Sequence, residues 1–324
     1  MSNIIRKLLN IVSVTIVIFS FFSFNNANAE KCGSTDPIII PLHNWTSQLV
    51  MSHVVGQLFE KIDCRVFYEP SDVQGVFESI RVGDIIITVQ IWERSFSKLY
   101  KQALSKGGIV DAGNHDAITR EGWWLPDFVI KMCPGLPNWE FLKKCSNMFA
   151  RPDSNGKGVY FDGPVEWLHD TRRIEALGMN FVTTNVKNVN DLWVEIENAN
   201  KAKKAIVLFN WSPNFTDSLY GGQFVEFPEF DKKCEIDKTW GINPNMTHDC
   251  GDPAGGYLKK AAWEGMSKKW PRAYKLLKNI NFTTKNIGDM AVYVDVDQMP
   301  YAQAARSWII DNKETWKPWL LNLE

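Results

Sequence analysis

Much of the usual catalytic vocabulary is missing from this 324-residue chain. There is no CxxC pair, no GxSxG elbow, no Walker-type phosphate loop, no HExxH and no GxGxxG. These absences remove the thiol-redox, serine-hydrolase, nucleotide-phosphate, zinc-protease and dinucleotide readings. His43, His53, His115, His169 and His248 are scattered at no metal-ligand spacing. An excess of either charge is also missing: 36 Lys and Arg stand against 37 Asp and Glu, a formal net charge of −1. Nothing in that balance suits nucleic acid or an anionic membrane surface. Beyond the N-terminus no stretch approaches the ~18 consecutive apolar residues of a membrane span. Internal repeats and low-complexity segments are absent as well.

The N-terminus carries an export signal. Arg6 and Lys7 precede the apolar run Leu8–Phe24, and Ala27-Asn28-Ala29 supplies small residues for cleavage after Ala29. Residues 1–29 hold two positive charges and no negative ones, so the mature chain of 295 residues (324 − 29) carries −3. That length exceeds one compact core and implies two lobes. All six cysteines lie in the mature part, and an even count in an exported chain favours disulfides over metal thiolates. Sequence neighbours pair most simply, as Cys32–Cys64, Cys133–Cys145 and Cys234–Cys250.

The first half alternates strand and helix. Strands are expected at Ile38–Pro41, Arg65–Tyr68 and Ile85–Ile91, and helices at Ser47–Ile62 (N-capped by Thr46), Val73–Arg81 and Ser95–Lys106. A second alternating unit follows. It has strands at Val159-Tyr160, Asn180–Thr184 and Ala205–Asn210, and helices at Asn138–Cys145, Pro164–Leu177 and Val189–Lys201. Leu258–Gly265, Pro271–Asn279, Ile287–Val294 and Ala302–Asn312 read as helical. The expected fold is α/β: two hinged, clam-like lobes, each a mostly parallel sheet flanked by helices. Lobe 1 comprises residues 30–126 and 222–324, and lobe 2 residues 127–221, with crossovers near 120–130 and 222–230.

Fourteen tryptophans are too many for packing alone to explain. Three of them close strand-like runs: Trp45 after DPIIIPLH, Trp92 after DIIITVQ and Trp211 after KAIVLF. In open α/β sheets ligands sit beyond the carboxyl ends of strands. A trimethylammonium group has no hydrogen-bond donor, but indole faces can surround its methyls at about 0.5–2 kcal/mol each. The pattern therefore predicts a cage for a small quaternary ammonium or amine oxide, with Trp124 and Trp167 as further candidate walls. Glu121, beside Trp123 and Trp124, is the candidate polar partner, and desolvation in such a cage should raise its pKa. Glu93 and Glu166 are weaker candidates. The aperiodic loop 221–256 is acidic and carries Cys234 and Cys250. Glu229, Asp231, Asp249 and Asp252 could supply oxygen ligands to a structural calcium, though no EF-hand spacing is present. No cofactor is required by any motif.

Several segments carry a resemblance: HNWTSQLVMSHVVG, REGWWLP, CPGLPNWEFLKKC, GPVEWL, VLFNWSPNF and GYLKKAAWEGM. With the signal peptide and the strand-end tryptophans, they make the chain resemble the periplasmic substrate-binding proteins of ABC importers for glycine betaine, choline and related osmolytes. Among these it is most similar to the receptors for trimethylamine N-oxide. The resemblance implies a monomeric periplasmic receptor that is no enzyme and delivers its ligand to a permease and an ATPase. It implies a cage of Trp45, Trp92, Trp167 and Trp211, with Glu121 near the oxide, and a structural calcium in the second half. The choline branch places an acidic residue just after the first tryptophan. Thr46-Ser47-Gln48 stand there instead and argue against choline, while glycine betaine remains an alternative.

Overall fold

The computed structural model describes residues 31–323 other than Leu168, Asp170 and Ala254. The expected export signal lies outside them. Chain order begins β1 (Ile38–Leu42), α1 (Thr46–Glu60), β2 (Val66–Pro70), α2 (Val76–Val82), β3 (Ile87–Trp92), α3 (Ser97–Lys106) and β4 (Ile109–Ile118). It continues with β5 (Arg120–Pro126), β6 (Gly158–Asp162), β7 (Phe181–Asn185), α4 (Val189–Ala202), β8 (Val207–Ser212) and β9 (Gly222–Phe224). Strand β10 (Tyr257–Trp263) and helices α5 (Pro271–Asn279), α6 (Thr284–Asp295) and α7 (Tyr301–Asp311) follow, with shorter helical turns between.

Two sheets organise these elements. In the first, β1 pairs in parallel with β2, and β10 pairs antiparallel with both β3 and β4. The Ile86 amide donates to the Ile39 carbonyl at 2.9 Å and ties the two parts together. The second sheet has the order β7-β6-β8-β5-β9, parallel among β7, β6 and β8 and antiparallel at β5 and β9. Each sheet is thus built from βα units and completed by the strands that carry the chain across. The fold is a two-lobe α/β binding-protein architecture.

Local chemistry explains most boundaries. Helix α1 is buried on nearly every side between Thr46 and Phe59, and its buried polar residues are paired: the Gln48 amide donates to the Pro41 carbonyl at 2.8 Å and to the Ser52 hydroxyl at 2.9 Å. Gly83 ends α2 with φ of 84°, a left-handed cap that suits glycine. Helix α4 opens with a reciprocal capping box of Asn188 and Asp191, and α6 with one of Thr283 and Asn286. Thr46 is not a cap as expected. Trp45 occupies that position, and the Thr46 hydroxyl instead donates to Asp295 Oδ1 at 2.7 Å. All three disulfides form as expected.

Two sequence expectations are corrected. Residues 257–263 form a strand, not a helix. Alanine and lysine favour helix, but Lys260 is buried and its ammonium caps the end of α5, donating to the Lys278 carbonyl at 3.2 Å and to that of Ile280. Residues 164–177 do not form one helix. A 3-10 turn at Val165–Trp167 and a short helix at Arg173–Ala176 stand in its place. Here Asp162 Oδ1 takes the Gly163 amide at 2.8 Å and the His169 ring at 2.6 Å, which folds the segment back on itself. The sheet pairing bears on where the chain crosses between lobes. Strand β5 belongs to the second sheet, and so does the loop up to residue 252. Arg173 holds that loop through the Cys250 carbonyl and both oxygens of Asp252, and Asn243 holds it through the Ala176 carbonyl. The two crossing chains meet where the Thr119 amide donates to the Gly256 carbonyl at 2.9 Å. We therefore propose that the lobes divide there, as 31–119 with 256–323, and 120–255.

Candidate functional site

The strand ends converge on a cavity between the two sheets. Trp45 lies three residues beyond β1, Trp92 is the last residue of β3, and Trp211 is the penultimate residue of β8. Trp167 comes from the 3-10 turn that follows β6. These four indoles, with Ser95, Phe96, Glu121, His169 and Phe209, line a cavity of about 70 Å³. Both lobes contribute walls: Trp45, Trp92, Ser95 and Phe96 come from the first, and the others from the second.

The rings brace one another. Trp167 meets Trp45 edge to face at 6.5 Å between centroids, Trp211 at 5.6 Å and Phe209 at 5.8 Å. Trp193 backs Trp211 from the side away from the cavity at 5.3 Å. Edge-to-face geometry at these distances is the favourable one for aromatic quadrupoles. It also leaves ring faces free for a guest. The Trp45 indole N–H donates to Gln90 Oε1, and Ser47 shares that amide. The indole N–H groups of Trp167 and Trp211 are buried without a partner. Trp45, Trp92 and Trp211 are each 5% exposed.

Glu121 supplies the polar element. It is half-buried on β5, and the Ser95 hydroxyl donates to its Oε2 across the lobe boundary. No other donor among the described residues meets this carboxyl. Burial pushes its pKa up, reinforced by the negative charge of Asp252 and opposed by the Ser95 hydrogen bond and by His169. Its neutral, donor-capable form is correspondingly favoured.

Trp124 does not reach the cavity. Side chains alternate along a strand, so Glu121 and Trp123 share one face of β5 and Trp124 takes the other. There it is buried against Gly222, where any Cβ would collide with the indole. Trp123 stacks on Tyr160 at 3.8 Å with planes 7° apart. Glu93 is not part of the lining. Glu166 points to the lobe junction instead: Asn44 Nδ2 donates to its side chain at 3.3 Å, and Gln74 Nε2 to its carbonyl at 2.9 Å. Both donors come from the first lobe, so the lobes are closed on each other.

The sequence reading did not place Phe96, Ser95, His169 or Phe209 in the site. Phe209 had a signal, since two-residue alternation puts it on the same face as Trp211. His169 had none, because its place depends on the irregular turn around Asp162.

The proposed calcium ligands are not gathered. Among the described residues no three His, Cys, Asp or Glu side chains come close enough together to hold a metal ion. Asp252 is engaged by Arg173, Asp249 Oδ2 accepts the Asn243 amide at 2.6 Å, and Asp231 accepts the Lys233 amide at 2.8 Å.

Comparison with known proteins decides the class. Residues 36–311 match the family described as the substrate binding domain of ABC-type glycine betaine transport systems. The chain belongs to this family. It is a substrate-binding protein and not an enzyme. A curated relative, the trimethylamine N-oxide-binding protein of Pelagibacter ubique (strain HTCC1062), is 41% identical over 97% of this chain and 99% of its own length. Among solved structures, an ABC-transporter choline binding protein in complex with choline superimposes with a TM-score of 0.66 at 14% identity, covering 90% of this chain and 92% of that one. Lactococcal OpuAC, closed on glycine betaine, gives 0.66 at 16% identity, covering 88% and 100%. At such identities the two structures speak for the fold alone. No helix among the described residues is long and apolar enough to cross a membrane.

Proposed function

We propose that this substrate-binding protein captures trimethylamine N-oxide in the periplasm and hands it to an ABC permease and its ATPase. The observation that carries the reading is a small cavity walled by Trp45, Trp92, Trp167 and Trp211 with a single carboxyl, Glu121, on its rim. The methyl groups of the oxide share the nitrogen's positive charge and lie against the indole faces. The oxide oxygen accepts a hydrogen bond from protonated Glu121, which its raised pKa supports. The relative's identity points the same way. No bond is made or broken. Binding between two lobes and closure about Thr119 and Gly256 are the mechanism.

The alternative within the class is glycine betaine, or another trimethylated osmolyte such as choline, and the family's description favours it. Titrating the mature chain with trimethylamine N-oxide, glycine betaine and choline by calorimetry separates them. The oxide should bind at least tenfold more tightly than either competitor. Tighter binding of glycine betaine would transfer the assignment to it.

A further inference from the structure

A second cleft opens between the lobes, behind Trp211 as seen from the cage. It measures about 660 Å³. Trp193 of α4, with Phe215 and Tyr220 from the turn after β8, forms one wall, and Asp295, Met299 and Tyr301 form the other. Trp193 meets Phe215 edge to face at 4.9 Å, and its indole N–H is buried without a partner.

Asp295 is the unusual member. It ends α6, and one oxygen accepts the Thr46 hydroxyl at 2.7 Å. Among the described residues no basic side chain pairs with it, and none lines the cleft. Its negative charge is felt at the Tyr301 hydroxyl, which places the two together. Glu197, on the same rim, is by contrast paired with Lys201 at 2.5 Å. A partly buried carboxylate without a cation is costly to keep. Set among aromatic faces, it is complementary to a cation with an apolar body.

We propose that this cleft is a second binding site, for an alkylated organic cation whose charge meets Asp295 and whose alkyl groups lie against Trp193, Phe215, Tyr220 and Tyr301. It shares no wall residue with the cage, and net positive charge, rather than a neutral oxide, is what it selects. Because its walls come from both lobes, occupancy favours the closed form and tightens ligand binding in the cage.

Calorimetry with tetramethylammonium chloride at constant chloride tests this on the mature chain carrying Trp92→Ala, which disables the cage. One site should remain. Adding Asp295→Asn, which keeps an acceptor for Thr46, should weaken it at least tenfold. Adding Leu219→Arg, which brings a cation to the exposed rim, should do the same without touching Thr46. Absence of binding to Trp92→Ala, or unchanged affinity in both double variants, overturns the proposal. If tetramethylammonium binding is wholly indifferent to Trp92→Ala, it is the cage assignment that suffers, and the Asp295 comparison still decides the second site.

Discussion

Replacing Trp211 with alanine removes a wall of the proposed cage and a structural brace together, and the two losses can be separated. A desolvated indole face against a trimethylated nitrogen contributes about 2 kcal/mol. At about 1.4 kcal/mol per tenfold, its loss raises Kd roughly 30-fold. Trp211 also supports Trp167 at 5.6 Å and Phe209 at 5.9 Å. Each such pair contributes about 0.5–1.5 kcal/mol, so relaxation of Trp167 should carry the total to roughly 70- to 350-fold. Truncating a buried Trp costs about 3–5 kcal/mol of stability, which a domain of about 5–15 kcal/mol tolerates only in part. Calorimetry should therefore be run well below the melting transition, after circular dichroism has shown a cooperative melt. Trp193→Ala is the control. It takes away the ring behind Trp211 at 5.3 Å but no wall of the cage, and should weaken binding less than tenfold. A folded Trp211→Ala protein whose Kd stayed within threefold of the native value would refute the reasoning.

Glu121→Met, which removes the donor that glutamine would keep, should weaken trimethylamine N-oxide binding more than glycine betaine binding, because only the oxide uses the protonated carboxyl as donor; equal effects in parallel titrations would remove that role. The same logic gives a pH dependence: oxide affinity should fall as pH rises through the elevated pKa of Glu121, and should become flat in Glu121→Gln. Burial pushes the pKa of Asp295 from 3.8 to about 6. The folded chain then holds a proton that the unfolded chain has lost, so the contribution of Asp295 to stability is greatest below pH 4 and declines as pH rises to 6, by at most about 3 kcal/mol. Burial holds the His115 pKa down at about 3 and acts in the opposite direction across this range, so the test is a difference: in urea unfolding, Asp295→Asn should gain more stability than the native protein as pH rises from 4 to 6, and identical slopes would contradict it. Replacing Cys234 and Cys250, 16 residues apart, with serine should cost about 3 kcal/mol, visible as a lowered melting temperature; an unchanged melt would show that Arg173 and Asn243 hold the loop unaided.

The legible part of this molecule was the part governed by local periodicity. The βα units of the first lobe, helix α4 and the three strand-end tryptophans could be read because short apolar runs, caps and glycine stops report directly on the backbone. Trp45, Trp92 and Trp211 converge because the strand ends of the two sheets face one cavity. What could not be read depended on distant partners. Strand β10 looks helical until Lys260 finds the carbonyls at the end of α5. Trp124 and Glu121 are three residues apart, so strand alternation alone sends them to opposite faces, but only once residues 120–126 are known to be a strand. The loop from 225 to 252 sides with the second sheet through Arg173, a contact that spans 79 residues to Asp252 and leaves no trace in local pattern. His169 and Ser95 enter the site through side-chain hydrogen bonds for the same reason.

The most direct measurement is a crystal structure of the mature chain grown with trimethylamine N-oxide. The account predicts one ligand in the cavity between the lobes, its methyl groups against Trp45, Trp92, Trp167 and Trp211 and its oxygen toward Glu121. A bound oxide lying elsewhere, with none of those indoles in contact, would contradict it.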